Sequence, residues 1–398
     1  FFSVFLGCDE IIFRREIFSR FDIYSHVISR GYFGGLGGVF IIKRRKLLRD
    51  VQHMVITSSD ADQRLDRFLK RKFPVLKQSQ IEKICRKGEV RIDGARCKPA
   101  TRLVQGNEVR IPPLKSDDIS LNKPRISKIC ISEKNAKLIR DAIIYRDDDL
   151  IIINKPAGLP SQGGSKQSIH VDGLSDAIIF EKKERPRLVH RLDKDTSGVM
   201  VLARTRQAAK GLSEALRHRE ARKVYWAAVA GVPNPPAGTI SYGLVKGSGH
   251  GRQGEGEKMQ CIHPDAISST EGAKRAVSDF MVLSRLANRG AWVALVPITG
   301  RTHQLRAHMA EIGNPIIGDV KYGGSSQQNL GDGWGAQFGG DISKKLHLHA
   351  RYLKIEHPFE KRIIEIKADL PSHMVRTWKT FQWDLDESPN DPFIDESL

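Results

Sequence analysis

No C-x-x-C pair occurs among the five cysteines (Cys8, Cys85, Cys97, Cys130 and Cys261), so neither a zinc cage nor a disulfide framework is signalled. Scattered thiols of this kind pack as small apolar groups and suit a reducing cytoplasm. Also missing is any uninterrupted apolar run of about 20 residues, which a spanning helix requires, and no membrane partner is expected. Aromatic residues make up only 7% of the chain, and ordinary Gly and Pro contents exclude collagen-like, low-complexity and disordered classes. Acidic residues are in deficit: 46 Asp and Glu face 65 Lys and Arg, a formal charge of +19. That excess favours polyanionic partners through counterion release, nucleic acid ahead of an anionic membrane.

Methionine is absent before Met54. Residues 1–53 mix apolar runs with basic clusters such as Lys43-Arg44-Arg45-Lys46 and show no sustained period. They are expected to be an extension upstream of a start at Met54. A targeting segment is the alternative, against which Asp9, Glu10, Glu16 and Asp22 count. For 398 residues, the prior of about 100–200 residues per domain gives two or three domains.

Regular patterning begins at Gln63. Leu65, Phe68 and Leu69 recur at helical spacing before Pro74, and Ser79 with Glu82 has the spacing of a capping box for a second short helix ending at Gly88. Val90 to Ile92, the Asp93-Gly94 turn and a return over Glu108 to Ile111 read as short strands. The motifs R-L-D-x-F-L, S-Q-I-x-K-I-C-R-K-G-x-V-R-I-D-G and G-N-E-V-R-I over residues 62–112 resemble the S4 RNA-binding domain. The resemblance places Arg64, Lys83, Arg86, Lys87 and Arg91 on an RNA-binding face; taken singly, each is as readily a solvated cation.

Residues 113–141 read as a polar linker, and residues 142–383 as a second, larger domain in which 248–273 and 323–341 look like inserted loops. The acidic tail, 384–398, is expected to fray. Within the second domain, apolar runs flank the polar loop His190-Arg191-Leu192-Asp193-Lys194-Asp195, a place where site residues are held by a rigid scaffold. Asp193 or Asp195 can equally cap a turn. Strand alternation over residues 223–231 puts Lys223 and Tyr225 on one face and Val224 and Trp226 on the other, which is compatible with plain sheet packing. After a strand ending at Pro297, Thr302 is placed to cap a helix running to Gly313, with Leu305, Met309 and Ile312 buried and Arg306 beside their edge.

Together, H-R-L-D-K-D-T-S-G, K-x-Y-x-A-x-V-x-G and T-G-R-T-H-Q-L-R-x-H, following an N-K-P-x-G loop, resemble the RluA family of pseudouridine synthases. Within it the likeness is to large-subunit ribosomal RNA enzymes, the C type first and the D type second. The resemblance implies an aspartate nucleophile at Asp193, a paired arginine at Arg306 and a uracil-contacting tyrosine at Tyr225. It further implies RNA contacts or loop support from Arg191, His190, Arg301 and Lys155. Isomerising uridine needs no redox group, phosphate donor or metal, so no cofactor is implied, and the substrate is large-subunit rRNA or an assembly intermediate, with no protein partner implied.

The fold expected is α+β: a small S4 (αL) RNA-binding domain, then a pseudouridine synthase catalytic domain with a mixed, mainly antiparallel sheet. Two other function classes stay open on the sequence. One is a non-catalytic RNA-binding assembly factor, which the intact Asp193, Tyr225 and Arg306 set argues against. The other is a nuclease using Asp193 and Asp195 as a metal pair, disfavoured because residues two apart on an extended segment face opposite ways.

Overall fold

The computed structural model describes residues 50–74, 76–114, 131–163, 169–217, 221–247, 258–323, 342–386 and 388–393. The chain divides into two compact units between residues 126 and 127.

The N-terminal unit runs β1 (Gln52–Val55), α1 (Leu65–Lys72), α2 (Gln78–Arg86), β2 (Arg91–Ile92), β3 (Ala95–Arg96) and β4 (Glu108–Ile111), with an antiparallel sheet in the order β1-β4-β2-β3. Leu65, Phe68 and Leu69 of α1 meet Ile81 and Cys85 of α2 in its core, and Lys70, Arg71 and Lys72 stand in the last turn of α1, where cations complement the helix dipole. Three details depart from the pattern-based expectation. The sheet reaches upstream of residue 62, pairing Gln52 with Ile111 and His53 with Arg110, so 53 is not a structural boundary. The α2 start uses neither Ser79 nor Glu82, because the Gln80 side chain reaches back to accept from the Lys77 N–H at 2.7 Å. The strand after the turn is Ala95–Arg96, not Glu108–Ile111: Asp93 and Gly94 both take positive φ, 48° and 77°, which closes a two-residue hairpin.

The C-terminal unit contains α3 (Glu133–Asp141), β5 (Ile143–Arg146), β6 (Leu150–Lys155), α4 (Val171–Leu174), β7 (Arg187–Leu188), β8 (Ser197–Ala203), α5 (Arg206–Arg217) and β9 (Arg222–Ala230). It continues with β10 (Ala237–Lys246), β11 (Met259–Ile262), β12 (Lys274–Leu286), β13 (Gly290–Pro297), α6 (Gln304–Glu311), β14 (Leu348–Glu356), β15 (Ile363–Lys367) and α7 (Ser372–Phe381). The sheet runs β11-β10-β12-β13-β9-β14-β8-β6-β5, with β15 on β14 and β7 on β8. It is α+β and mixed: β8 and β14 form the one parallel ladder among the described strands.

Helix α3 falls inside the stretch read as linker and buries Ile139 against Ile151, Ile153 and Leu174, since its Ala136 and Ile139 give it an apolar side. Strand β11 falls inside the first expected insertion; 248–257 and 324–341 lie outside the described residues. Strand β9 shows its two faces clearly. Val224, Trp226 and Ala228 join Trp292 and the α7 residues Met374 and Trp378, while Ala227 and Val229 meet Leu305 and Met309 of α6. The tail does not fray over its described part: Leu385 and Phe393 pack on the tryptophan cluster, and the buried Asp391 accepts from Arg222 at 2.6 and 3.0 Å.

Candidate active site

Ala350 in β14 is the point from which the site is laid out. On one side it pairs with Gly198 of β8, on the other with Tyr225 of β9, and a bulge follows at Arg351. Gly198 has φ +110°, and a Cβ there would lie 2.2 Å from the Ala350 carbonyl oxygen, so only glycine fits. The β7–β8 loop carrying Asp193 therefore enters the sheet two strands, about 10 Å, from Tyr225.

The backbone on both sides of Asp193 is clamped. Before it, Ser161 Oγ donates to the Leu192 carbonyl at 2.6 Å and accepts the Leu192 N–H at 3.1 Å. After it, the Lys194 carbonyl accepts from Lys155 Nζ at 3.0 Å and from the Gly158 N–H at 2.9 Å. Lys155 Nζ also donates to the carbonyls of Pro156 and Leu159, at 2.9 and 2.7 Å. Its three donors are thus spent on three carbonyls in the interior, and burial lowers its pKa to about 7 despite the pull of Asp195 and Asp193. Of the two roles expected for Lys155, RNA contact and loop support, its fully buried ammonium fits the second.

Arg306 rises from the first turn of α6. Its Nε and Nη2 donate to Asp319 at 2.7 and 2.8 Å, while Nη1 stands 3.4 Å from Asp193 Oδ2. Burial opposes the guanidinium charge, but hydrogen-bonded Asp319 more than offsets it and holds the pKa above the ordinary arginine value. Asp319 is itself fixed, accepting the N–H groups of Lys321 and Tyr322. Arg306 is buried rather than beside a helix edge, and the helix begins at Gln304 with His303, not Thr302, at its N-cap. His303 takes φ +53°; its Nε2 lies 3.9 Å from Asp193 Oδ2 and its Nδ1 3.1 Å from the Tyr322 hydroxyl.

Gln304 pins this turn to β12. Its side-chain amide donates to the Val277 carbonyl and Ser278 Oγ, both at 2.8 Å, and accepts from Thr299 Oγ1 at 2.7 Å and the Arg301 N–H at 3.0 Å. Sequence reasoning passed over Ser161, Gln304 and Asp319, whose partners are distant in the chain.

A cleft of about 1120 Å³ is lined by Asp193, Arg306, Tyr225, His190, Arg191 and Arg301 among others. The three expected chemical residues thus share one cavity. Burial first, and then the Asp193 charge, push the Tyr225 hydroxyl well above its usual pKa, so it is a phenol in the free protein. His190 accepts the Val201 N–H on Nε2 at 2.9 Å, and burial lowers its pKa to about 3; it braces the loop as a neutral ring. Arg191 is exposed, 3.4 Å from Gln162 Oε1, and Arg301 is exposed with Nε donating to the Arg275 carbonyl at 3.1 Å.

Within the N-terminal unit, Lys83, Arg86 and Lys87 are exposed and follow helical spacing at the C-terminal end of α2. Arg64 is tied to Asp66 at 2.6 Å, and Arg91 donates to the carbonyls of Gly88 and Gly94. These two are partly committed to their own fold.

The family model for RNA pseudouridylate synthase matches residues 149–311, and that for the S4 domain matches residues 63–109. Ribosomal large subunit pseudouridine synthase C of Salmonella typhi is 34% identical over 331 residues, 82% of this chain and 95% of that protein. The protein of the same name from Vibrio cholerae is 32% identical over 325 residues, 81% of this chain and 95% of its own. The solved structure of Human RNA Pseudouridylate Synthase Domain Containing 4 is 31% identical, with a TM-score of 0.49, and covers 62% of this chain and 95% of its own. The similarity to the two bacterial proteins spans nearly their whole length, well beyond the motifs around Asp193, and the chain belongs to the RNA pseudouridylate synthase family.

Proposed function

We propose that this protein isomerises specific uridines of large-subunit ribosomal RNA to pseudouridine, with Asp193 as nucleophile. The observation that carries it is the Asp193 carboxylate, clamped at both neighbouring peptides, facing Arg306 and sharing a cleft with Tyr225. A uridine must leave its stack to enter, at a cost of a few kcal/mol. Asp193 then assists rupture of the N1–C1′ bond. The base turns, C5 bonds to C1′, the C5 proton leaves and N1 is protonated. No atom is gained or lost overall.

Tyr225 is suited to lie against the uracil ring. Burial and the Asp193 charge keep its hydroxyl protonated, so Tyr225 takes up the C5 proton only as it hands its own proton to N1, an exchange that leaves its protonation unchanged. Arg306 faces the Asp193 carboxylate with Nη1 3.4 Å from Oδ2 and keeps it aimed. Arg191 and Arg301 offer charge at the cleft rim, and the exposed cations of α2 offer a second RNA contact, consistent with an S4 domain. Both ribosomal RNA and an assembly intermediate present such a substrate. The free thiols of Cys85, Cys97 and Cys261 suit the cytoplasm as its place of action.

The test is pseudouridine mapping across large-subunit rRNA from cells lacking the protein, with rescue by the natural chain or by Asp193→Asn. Loss of particular pseudouridines, restored only by the natural chain, is the expected outcome. An unchanged map in cells with no second enzyme for those sites overturns the assignment.

A further inference from the structure

Burial lowers the pKa of two lysines of the C-terminal unit, Lys155 fully buried and Lys223 partly, and their ammonium groups are provided for differently. Lys155 spends its ammonium on three carbonyls. The ammonium of Lys223, on β9, has no hydrogen bond and no ion pair among the described residues. Burial lowers its pKa, and no carboxylate offsets that. A partly buried ammonium that has no partner in the free protein is placed to take up an anion that a ligand brings.

The position of Lys223 says what that ligand is. It lines the cleft that holds Asp193 and Tyr225, where its charge acts on His190. Strand alternation points it the same way as Tyr225, about 7 Å further along β9, a displacement on the order of one nucleotide. Its neighbour Arg222 is already neutralised by Asp391; the exposed Arg217 also lines the cleft here, and Lys223 is the cation that shares a face of β9 with Tyr225. The cleft is also larger than a single base requires.

We infer that Lys223 binds a backbone phosphate of the nucleotide adjoining the uridine seated against Tyr225. The inference rests on the uridine site proposed above. It makes Lys223 a positioning residue: holding the neighbouring phosphate fixes how far the target nucleotide can travel into the cleft.

The test uses the full chain and a synthetic stem-loop spanning a uridine that the enzyme modifies in a protein-free large-subunit rRNA transcript. Single methylphosphonate linkages, which remove one phosphate charge at a time, are placed at the three positions on either side of that uridine. Equilibrium binding is then compared for the natural chain, Lys223→Gln and Lys223→Arg. The expected result is a loss of about tenfold for Lys223→Gln on unmodified RNA. One linkage should cost the natural chain a similar factor and cost Lys223→Gln nothing further, with Lys223→Arg restoring most of the affinity. Losses that multiply independently at all six linkages, or unchanged affinity for Lys223→Gln, overturn the inference while turnover stands. No turnover by the natural chain on any uridine of the transcript removes the uridine site and the inference with it.

Discussion

Arg306 gives Asp319 two hydrogen bonds, 2.7 and 2.8 Å long, and faces Asp193 only with its remaining nitrogen at 3.4 Å. The guanidinium plane is therefore set by a fully buried carboxylate before any substrate arrives. Asp319→Asn, which keeps size but loses charge, is expected to lower single-turnover rates by about 10- to 100-fold, the range for groups that orient a primary contact. RNA affinity should stay near its original value. A normal rate would mean that packing alone orients Arg306.

Lys155→Met leaves three interior carbonyls short of a donor. The Lys194 and Pro156 carbonyls keep the N–H groups of Gly158 and Leu159, so the Leu159 carbonyl is the acceptor orphaned, and urea unfolding should show a loss of about 1–3 kcal/mol. Where the variant stays folded, the Asp193 loop should exchange its amide hydrogens faster than β8 does. Unaltered stability would contradict the three-carbonyl clamp.

Gly198→Ala puts a methyl group 2.2 Å from the Ala350 oxygen, at a φ of +110° that L residues rarely take. The strands must part, and a loss of more than about 4 kcal/mol or failure to fold is expected, as for other severe backbone conflicts. Ala350→Gly makes no room for it, because the clash is with backbone. A thermal melt of the purified variant checks this.

Buried histidines make the fold sensitive to acid. Burial lowers His347 and His308 to about 4 and His349 to about 3, against about 6.5 in an unfolded chain. Above pH 6.5 neither state takes up the proton. As the pH falls from 6.5 toward 4, the unfolded chain binds protons that the native one refuses, and stability drops by about 1.4 kcal/mol per pH unit for each such ring. Urea midpoints at pH 7.5 and 5 should show it. His308→Leu should flatten the decline, since neither nitrogen of that ring has a hydrogen-bond partner among the described residues.

Replacing Lys83, Arg86 and Lys87 together with Gln should weaken RNA binding and make the slope of log affinity against log salt shallower, by about 0.7–0.9 for each phosphate that these cations neutralise. The isomerisation rate at saturating RNA should hold. A slope that does not move counts against RNA binding by this face of α2.

Much of the C-terminal fold was legible because its signals are local. The apolar run Leu150 to Ile153, the alternation of Val224 and Trp226 against Lys223 and Tyr225, and the uninterrupted H-R-L-D loop each specify structure within a few residues. The supports of the site were not legible. Ser161 clasps Leu192 and Asp319 holds Arg306 only after distant segments have met, and nothing in the residues beside them announces either bond. Helix starts misled for a related reason: Ser79 and Thr302 are good capping residues by type, but the helices begin around Gln80 and Gln304, whose amides reach back to the N–H groups of Lys77 and Arg301. The tail looked free because its charges were counted without Arg222 and its apolar residues without the tryptophan cluster.

One alanine calibrates the whole cleft. Because Ala350 is in register with Gly198 on one side and Tyr225 on the other, the proposed nucleophile's loop and the aromatic ring are measured from the same datum, like the jaws of a caliper locked on one beam. The gap between them is a property of strand spacing and needs no closing movement of either jaw. Discrimination among uridines can then be built into how the RNA is delivered to two strands whose spacing is already set.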